Sequence, residues 1–154
     1  MKISEVMHKD IIAVKRSTPL KALLENFKGF HGHPLIPVVD DEKKLIGIVN
    51  SDNLLDIIRP QKSRLFKNIP LVDVVDDSFD LEFVPSMGQL IIVEDIMETK
   101  FVSIQEDESI DKAYRLMRLS KVDRVPVTNK NDELSGIIGI FDIIWEMFKI
   151  KGVV

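Results

Sequence analysis

The sequence predicts an α/β (α+β) fold made of two tandem repeats, each with the element order β-α-β-β-α. The first observation behind this prediction is that the phrase LIGIVNSDNLL at Leu45–Leu55 recurs as LSGIIGIFDII at Leu134–Ile144. The second is that ISEVMHKDIIAV at Ile3–Val14 recurs as VEDIMETKFVSI at Val93–Ile104, so that both phrases return after about 90 residues. This much shared order and spacing indicates two copies of one structural unit.

Each repeat is predicted to open with a helical turn and a short apolar strand. In the first repeat these are Ile3–Met7 and Ile11–Val14, and in the second they are Glu94–Met97 and Phe101–Ile104. A helix with apolar residues at helical spacing follows in both repeats. Its apolar stripe consists of Leu20, Leu23, Leu24 and Phe27 in the first repeat, and of Ile110, Ala113, Tyr114 and Met117 in the second.

Local signals predict where the helices begin and where a hairpin lies. Thr18 followed by Pro19 predicts the start of the first helix, because Thr caps free N–H groups and proline suits the first helical position. Two strands come next in each repeat, LIPVV and LIGIV, then RVPVT and LSGII, joined by the polar turns DDEKK and NKNDE. The final helix is predicted to open at Asn53 in the first repeat and at Asp142 in the second.

The repeats are assigned to residues 1–58 and 93–150, with residues 59–92 as an inter-repeat segment of one compact module. The two copies are expected to pack together, because one copy alone has few strands and little core. The segment between them carries an acidic cluster within residues 73–82. Such a cluster can hold a cation but more often forms a solvated face.

Composition excludes several classes of protein. With 45% hydrophobic and 30% charged residues, the chain has the balance of an ordinary globular domain. A net charge of −4 argues against a nucleic-acid partner, whose phosphates require basic patches. The chain has no cysteine, no apolar run long enough to span a membrane and no signal-peptide core at its N-terminus. We therefore expect a cytoplasmic protein without a membrane partner.

These motifs, taken in order and twice over, resemble a tandem pair of cystathionine-β-synthase (CBS) domains. Each copy has EVM or DIM near its start, IPV or VPV in its middle, and a glycine followed by an apolar run and Asn or Asp at its end. The resemblance implies two copies packed about a pseudo-two-fold axis, leaving two clefts. In this family the clefts commonly bind AMP, ADP, ATP or S-adenosylmethionine, and modules usually pair into dimers.

The resemblance assigns a ribose-binding role to the start of the final helix. Asp142 matches the family's aspartate, which accepts hydrogen bonds from both ribose hydroxyls, and Asn53 is its counterpart in the first repeat. A carboxylate has two acceptor oxygens and an amide has one, so Asp142 suits a diol better. The adjacent Asp52 is an alternative acceptor, although one step along a helix turns a side chain by about 100°. Both Asp142 and Asn53 also suit a helix cap, which leaves a structural role open.

Other positions are expected to contact the remaining parts of such a ligand. Gly139 and Asn50 stand where the family usually has Thr or Ser, and Ser51 adds a polar group to the first cleft. Apolar residues matching an adenine-binding position are Val102, Val125 and Ile140, which suit an ordinary core equally well.

The second repeat is expected to bind phosphate better than the first. Arg124 stands where the resemblance implies a basic side chain facing phosphate, and the alternative is an ordinary surface arginine. The matching residue in the first repeat is Leu35, with only His33 nearby. His31 and His33 lie on a glycine-containing loop with no third ligand in view, so no metal site is predicted.

These features predict a non-enzymatic regulatory module that binds an adenosine ligand and acts on an unidentified partner protein or on its own oligomeric state. No cofactor is expected to be required. The sequence shows no Ser-His-Asp order, P-loop or telling pair of carboxylates, and we expect no attached catalytic or DNA-binding domain. The alternative is a structural or dimerisation module with vestigial, unoccupied clefts.

The chain is expected to form a homodimer. Phe141, Trp145 and Phe148 repeat at helical spacing in the last helix. This stripe is suited to a partner subunit, since exposed aromatic residues require a cover. Packing of the same stripe against the chain's own core is the open alternative.

Overall fold

The computed structural model describes residues 1–28, 35–58 and 86–154 of the chain. In the first repeat the elements are the 3₁₀ turn Ile3–Glu5, α1 Leu20–Phe27, β1 Leu35–Val39, β2 Leu45–Asn50 and α2 Ser51–Ile58. The short helix α3, Met87–Leu90, precedes the second repeat. That repeat has the 3₁₀ turn Val93–Asp95, β3 Ile104–Gln105, α4 Ile110–Ser120, β4 Arg124–Thr128, β5 Leu134–Gly139 and α5 Ile140–Ile150.

Each repeat contains an antiparallel hairpin with the same register. β1 pairs with β2 so that Leu35 lies opposite Asn50, and β4 pairs with β5 so that Arg124 lies opposite Gly139. Both hairpins have an irregularity at the same place, after Val38 in one and after Val127 in the other. The predicted mixed fold of two related units is confirmed, and both hairpins share the same irregularity in strand pairing.

The leading strands are shorter than predicted. Phe101–Ile104 was expected as a strand, whereas β3 is Ile104–Gln105 and runs parallel to β4. In the first repeat only a single parallel bridge, from Val14 to Val38, replaces Ile11–Val14. The physical reason lies in the residues just before these strands. In each repeat this backbone first pairs with the hairpin of the other repeat, and only the residues after it pair with the hairpin of their own repeat.

The prediction that Thr18 caps the first helix is wrong. Its hydroxyl oxygen accepts a hydrogen bond from Lys15 N at 3.1 Å, within the turn that precedes the helix. Pro19 is the N-cap residue, and the free N–H of Leu20 donates to Ile91 O at 2.8 Å. Backbone from the far side of the inter-repeat segment therefore satisfies the start of α1, which no local sequence signal reveals.

Among the described residues, the buried apolar side chains form two clusters, and each contains the leading segment of the opposite repeat. Ile3 and Met7 join a cluster made otherwise of second-repeat residues, including Val125 and Ile138. Reciprocally, Val93 lies among first-repeat residues. Ile3 and Val93 are fully buried, and burial of such a side chain contributes about 1.5–3 kcal/mol. Neither repeat has a complete core without the other.

Each of the two matching phrases contains a glycine, and this glycine lies where the leading segment of the opposite repeat packs on the hairpin. We call this reciprocal packing the exchange of leading segments. A Cβ at Gly136 would stand 2.5 Å from the carbonyl oxygen of His8, and a Cβ at Gly47 would stand 3.0 Å from that of Glu98. The same backbones pair directly, since His8 N donates to Ile137 O at 2.9 Å and Glu98 N donates to Ile48 O at 2.9 Å. Glycine is required there because the crossing segment leaves no room for a side chain.

Candidate functional site

A cavity of about 940 Å³ lies between the repeats, and we call it the inter-repeat cavity. The first repeat contributes Leu35 and Ile48 from its hairpin, and Asn50, Ser51 and Asp52 where β2 passes into α2. The second repeat contributes residues 98 and 100–102, before β3, then residues 117, 118, 120–124 and 126, from the end of α4 into β4, and Ile140. The volume falls within the range of pockets that bind small molecules.

One part of the cavity wall is apolar. Phe101 and Val102 come from the segment leading to β3, Met117 from α4 and Ile140 from the first residue of α5. Met117 is almost fully buried, while Phe101, Val102 and Ile140 keep partial exposure. A surface of this kind suits an aromatic ring, because burying apolar area is favourable and needs no precise direction.

Another part of the wall carries positive charge. Lys100, Arg118, Lys121 and Arg124 line the cavity, together with the carboxylates of Asp52, Glu98 and Asp123. Within residues 1–28, 35–58 and 86–154, none of the four cations forms a salt bridge. Cations that lack an internal counter-ion are available to an anionic ligand, and Arg presents a planar fork that matches phosphate oxygens.

The backbone at Lys121 is unusual. This residue caps the C-terminus of α4 in the left-handed region, with φ of 55°, and its N–H donates to Met117 O. Glycine normally takes such a position, because a side chain there costs about 1–2 kcal/mol. Lys43 and Asp132 adopt the same backbone region away from the cavity, so this conformation reflects the end of α4, and the cavity receives the Lys121 side chain as a consequence.

Asn53 and Asp142 are not the first residues of their helices. α2 begins at Ser51 and α5 at Ile140, so both residues stand at the third helical position and reach back. Asn53 Oδ1 accepts from Asn50 N at 2.8 Å, and Asn50 Oδ1 accepts from Asn53 N at 3.1 Å. Asp142 Oδ2 accepts from Gly139 N at 2.7 Å. The predicted capping role is correct in kind, but the cap acts from the third position.

The outer atom of each of these side chains bonds to the opposite repeat. Asp142 Oδ1 lies 2.7 Å from His8 Nε2, and Asn53 Nδ2 donates to Glu98 Oε1 at 3.2 Å. His8 and Glu98 occupy matching positions in the duplicated leading segments. The acceptor Asp142 faces a donor, and the donor amide of Asn53 faces an acceptor. The Asp/Asn difference between the repeats thus follows from complementary partners. We call the Asp142–His8 and Asn53–Glu98 contacts the exchanged pairs.

The structure brings half of the predicted site residues together. Those that line the inter-repeat cavity are Asn50, Ser51, Val102, Arg124 and Ile140. The sequence assigned the first two residues to one cleft and the last three to another, whereas in the structure all five line the same cavity. Lys100 and Phe101 were missed because they follow the exchanged leading segment, and Arg118 was missed because the sequence does not show which face of α4 meets the cavity.

The other predicted residues lie elsewhere. Val125 is fully buried in the core, and Gly139 and Asp142 are outside the cavity lining. Asn53 is only 8% exposed and lies behind the wall, bonded to Asn50 and Glu98, which do line the cavity. His33 and the acidic cluster of residues 73–82 fall outside the described residues.

Within residues 1–28, 35–58 and 86–154, no three residues of the His, Asp or Glu types are grouped to hold a metal ion. In the same ranges, no helix has the length and apolar character that crossing a membrane requires.

The chain belongs to the CBS domain family, because the family model matches residues 3–60 and 93–149. Among curated proteins, it is 26% identical over 143 residues to an inosine-5′-monophosphate dehydrogenase of Methanocaldococcus jannaschii. The match covers 93% of this chain but only 23% of that enzyme. The chain therefore spans about a quarter of this relative, and the dehydrogenase activity is not carried over with the match.

Solved structures share the fold across nearly the whole chain. CBSX2, solved in complex with AMP, superposes with a TM-score of 0.70 at 22% identity, covering 97% of this chain and 98% of that one. The CBS domain pair of protein MJ0100, solved with 5′-methylthioadenosine and S-adenosyl-L-methionine, has a TM-score of 0.63 at 19% identity. That match covers 96% of this chain and 99% of the other. The tandem CBS pair expected from the sequence is thereby confirmed.

Proposed function

We propose that the inter-repeat cavity binds an adenosine ligand and that the chain is a non-enzymatic regulatory module. The observation that carries this proposal is a group of four cations, Lys100, Arg118, Lys121 and Arg124, that form no salt bridge among the described residues and stand beside an apolar wall. An adenine ring needs the apolar surface and a phosphate needs the cations. The AMP complex of CBSX2 and the adenosine ligands of MJ0100 support the same class of ligand.

Within this class, the charges favour AMP, ADP or ATP. S-adenosylmethionine carries a positive sulfonium group where the nucleotides carry phosphate. Four cations against three carboxylates around the cavity leave an excess of positive charge, which repels a sulfonium and attracts a phosphate. Ligand binding would then be passed to a partner protein or to the oligomeric state.

A thermal-shift screen tests the proposed function. We expect AMP, ADP or ATP to raise the melting temperature, whereas S-adenosylmethionine and NAD should raise it less. A ligand at 100 times its Kd adds about 2.7 kcal/mol of stability, which is easily measured. The absence of a shift with every one of these compounds at millimolar concentration would contradict the proposal.

A structural role with empty clefts is the second candidate function. The observation that favours it is that Asn53 and Asp142, which match the family's ribose-binding position, use their polar atoms in helix-start hydrogen bonds and in the exchanged pairs. If this candidate is correct, the screen will show no ligand while the assembly of the chain stays intact.

We propose that the chain assembles as a homodimer through α5. Phe141 is 67% exposed, Trp145 49% and Phe148 48%, so about half or more of each residue's surface is open to a partner subunit. Exposed aromatic residues in one stripe are typical of an interface.

Light scattering at micromolar concentration should give the dimer mass, and Trp145→Glu should give the monomer mass. Leu90→Glu, at a residue 74% exposed in α3, is the matched control that should stay dimeric. A monomeric wild type would remove the proposal.

A further inference from the structure

The structure leaves the two expected ribose acceptors already bonded. Asn53 Oδ1 accepts from Asn50 N, its Nδ2 donates to Glu98, and the residue is buried behind the cavity wall. Asp142 uses one carboxylate oxygen for Gly139 N and the other for His8. Neither Asn53 nor Asp142 lines the inter-repeat cavity, so neither side chain faces a ligand held there.

Asp52 has the opposite situation. It is the second residue of α2, it lines the inter-repeat cavity as Ser51 does, and it is exposed. The next residue, Asn53, is buried. Within the described residues, its carboxylate makes no hydrogen bond and no ion pair. One step along the helix turns a side chain by about 100°, and here that step brings Asp52 to the cavity in place of Asn53.

We infer that Asp52 receives the ribose diol of the ligand in the inter-repeat cavity. A carboxylate offers two acceptor oxygens, which match two neighbouring hydroxyl donors. The base would then lie against the apolar wall, and the phosphate would face the cations at the end of α4. This inference rests on the proposed function, and it assigns ribose recognition to a residue next to the one that the sequence motif indicates.

The test compares AMP with 2′-deoxy-AMP by calorimetric titration. The two nucleotides share base and phosphate, so their affinity ratio reports the 2′-hydroxyl contact alone. We expect the wild type to prefer AMP by roughly 10- to 100-fold, as is typical when a hydrogen bond to a charged group is lost. In Asp52→Ala the ratio should fall to about 1, and in Asp52→Asn, which keeps one acceptor oxygen, it should lie between these values.

Asp111→Ala is the matched control. Asp111 is also the second residue of its helix, α4, is likewise exposed and does not line the cavity. This variant loses the same charge and should keep the wild-type ratio. If Asp52→Ala binds too weakly to measure, the ratio in Asp52→Asn decides.

The outcomes separate the inference from the proposed function. A wild type that binds AMP without preference over 2′-deoxy-AMP overturns the inference alone. The same holds if the Asp52 variants keep the wild-type preference. A wild type that binds neither nucleotide overturns the proposed function and the inference with it.

Discussion

Asn53→Asp is expected to lower the free energy of unfolding by about 2 kcal/mol, and adding Glu98→His is expected to restore most of that loss. The single change replaces the amide that donates to Glu98 Oε1 at 3.2 Å by a second carboxylate, in a position only 8% exposed. A lost hydrogen bond to a charged group and a like-charge contact both contribute to this cost. The double variant recreates, in the first repeat, the pair that Asp142 forms with His8.

Chemical denaturation of the wild type, both single variants and the double variant measures the coupling between the two positions. Residues in contact typically couple by 0.5–3 kcal/mol, whereas independent sites add within roughly 0.5 kcal/mol. The mirrored experiment pairs Asp142→Asn with His8→Glu and transfers the first repeat's pair to the second. If Asn53→Asp and Glu98→His simply add, the exchanged pairs do not explain the Asp/Asn difference between the repeats.

AMP is expected to bind about 100-fold more tightly than adenosine, because only AMP places charge among the cations of the inter-repeat cavity. Arg124→Ala should weaken AMP binding by roughly 10-fold and leave adenosine binding nearly unchanged. Raising the salt concentration should weaken AMP alone, since mobile ions screen the charged contact. Calorimetric titrations of both ligands at low and high salt measure these differences.

Arg115→Ala is the matched control for Arg124→Ala. Arg115 is an arginine of α4 that is 75% exposed, pairs with Asp111 at 3.3 Å and does not line the cavity. Its replacement removes the same charge from the chain and should leave AMP affinity close to that of the wild type. If both variants lose AMP affinity equally, the effect is one of overall charge, and Arg124 is an ordinary surface residue.

Much of the fold could be predicted because its signals are local or repeated. The two matching phrases revealed the duplication, and alternating apolar runs around polar turns located both hairpins. The exchange of leading segments could not be predicted. Apolar residues such as Ile3 and Val93 show that a segment is buried but not which repeat buries it.

The site was predicted in part for the same reason. Arg124, Val102 and Ile140 were identified from the family pattern and do line the cavity. Asp52 and Asn53 differ by one step along α2, and only the orientation of that helix decides which of them faces the cavity and which faces Glu98. Lys100 and Phe101 were missed because the exchange of leading segments places them.

The most direct test of the central claim is a calorimetric titration of the wild-type protein with AMP and with adenosine. The claim is that the inter-repeat cavity, whose four cations form no salt bridge in the part of the chain that the structure describes, binds an adenosine phosphate. It predicts saturable AMP binding that is about 100-fold tighter than adenosine binding and that weakens as salt is added. Equal affinity for the two compounds, or no heat with AMP at millimolar concentration, would contradict it.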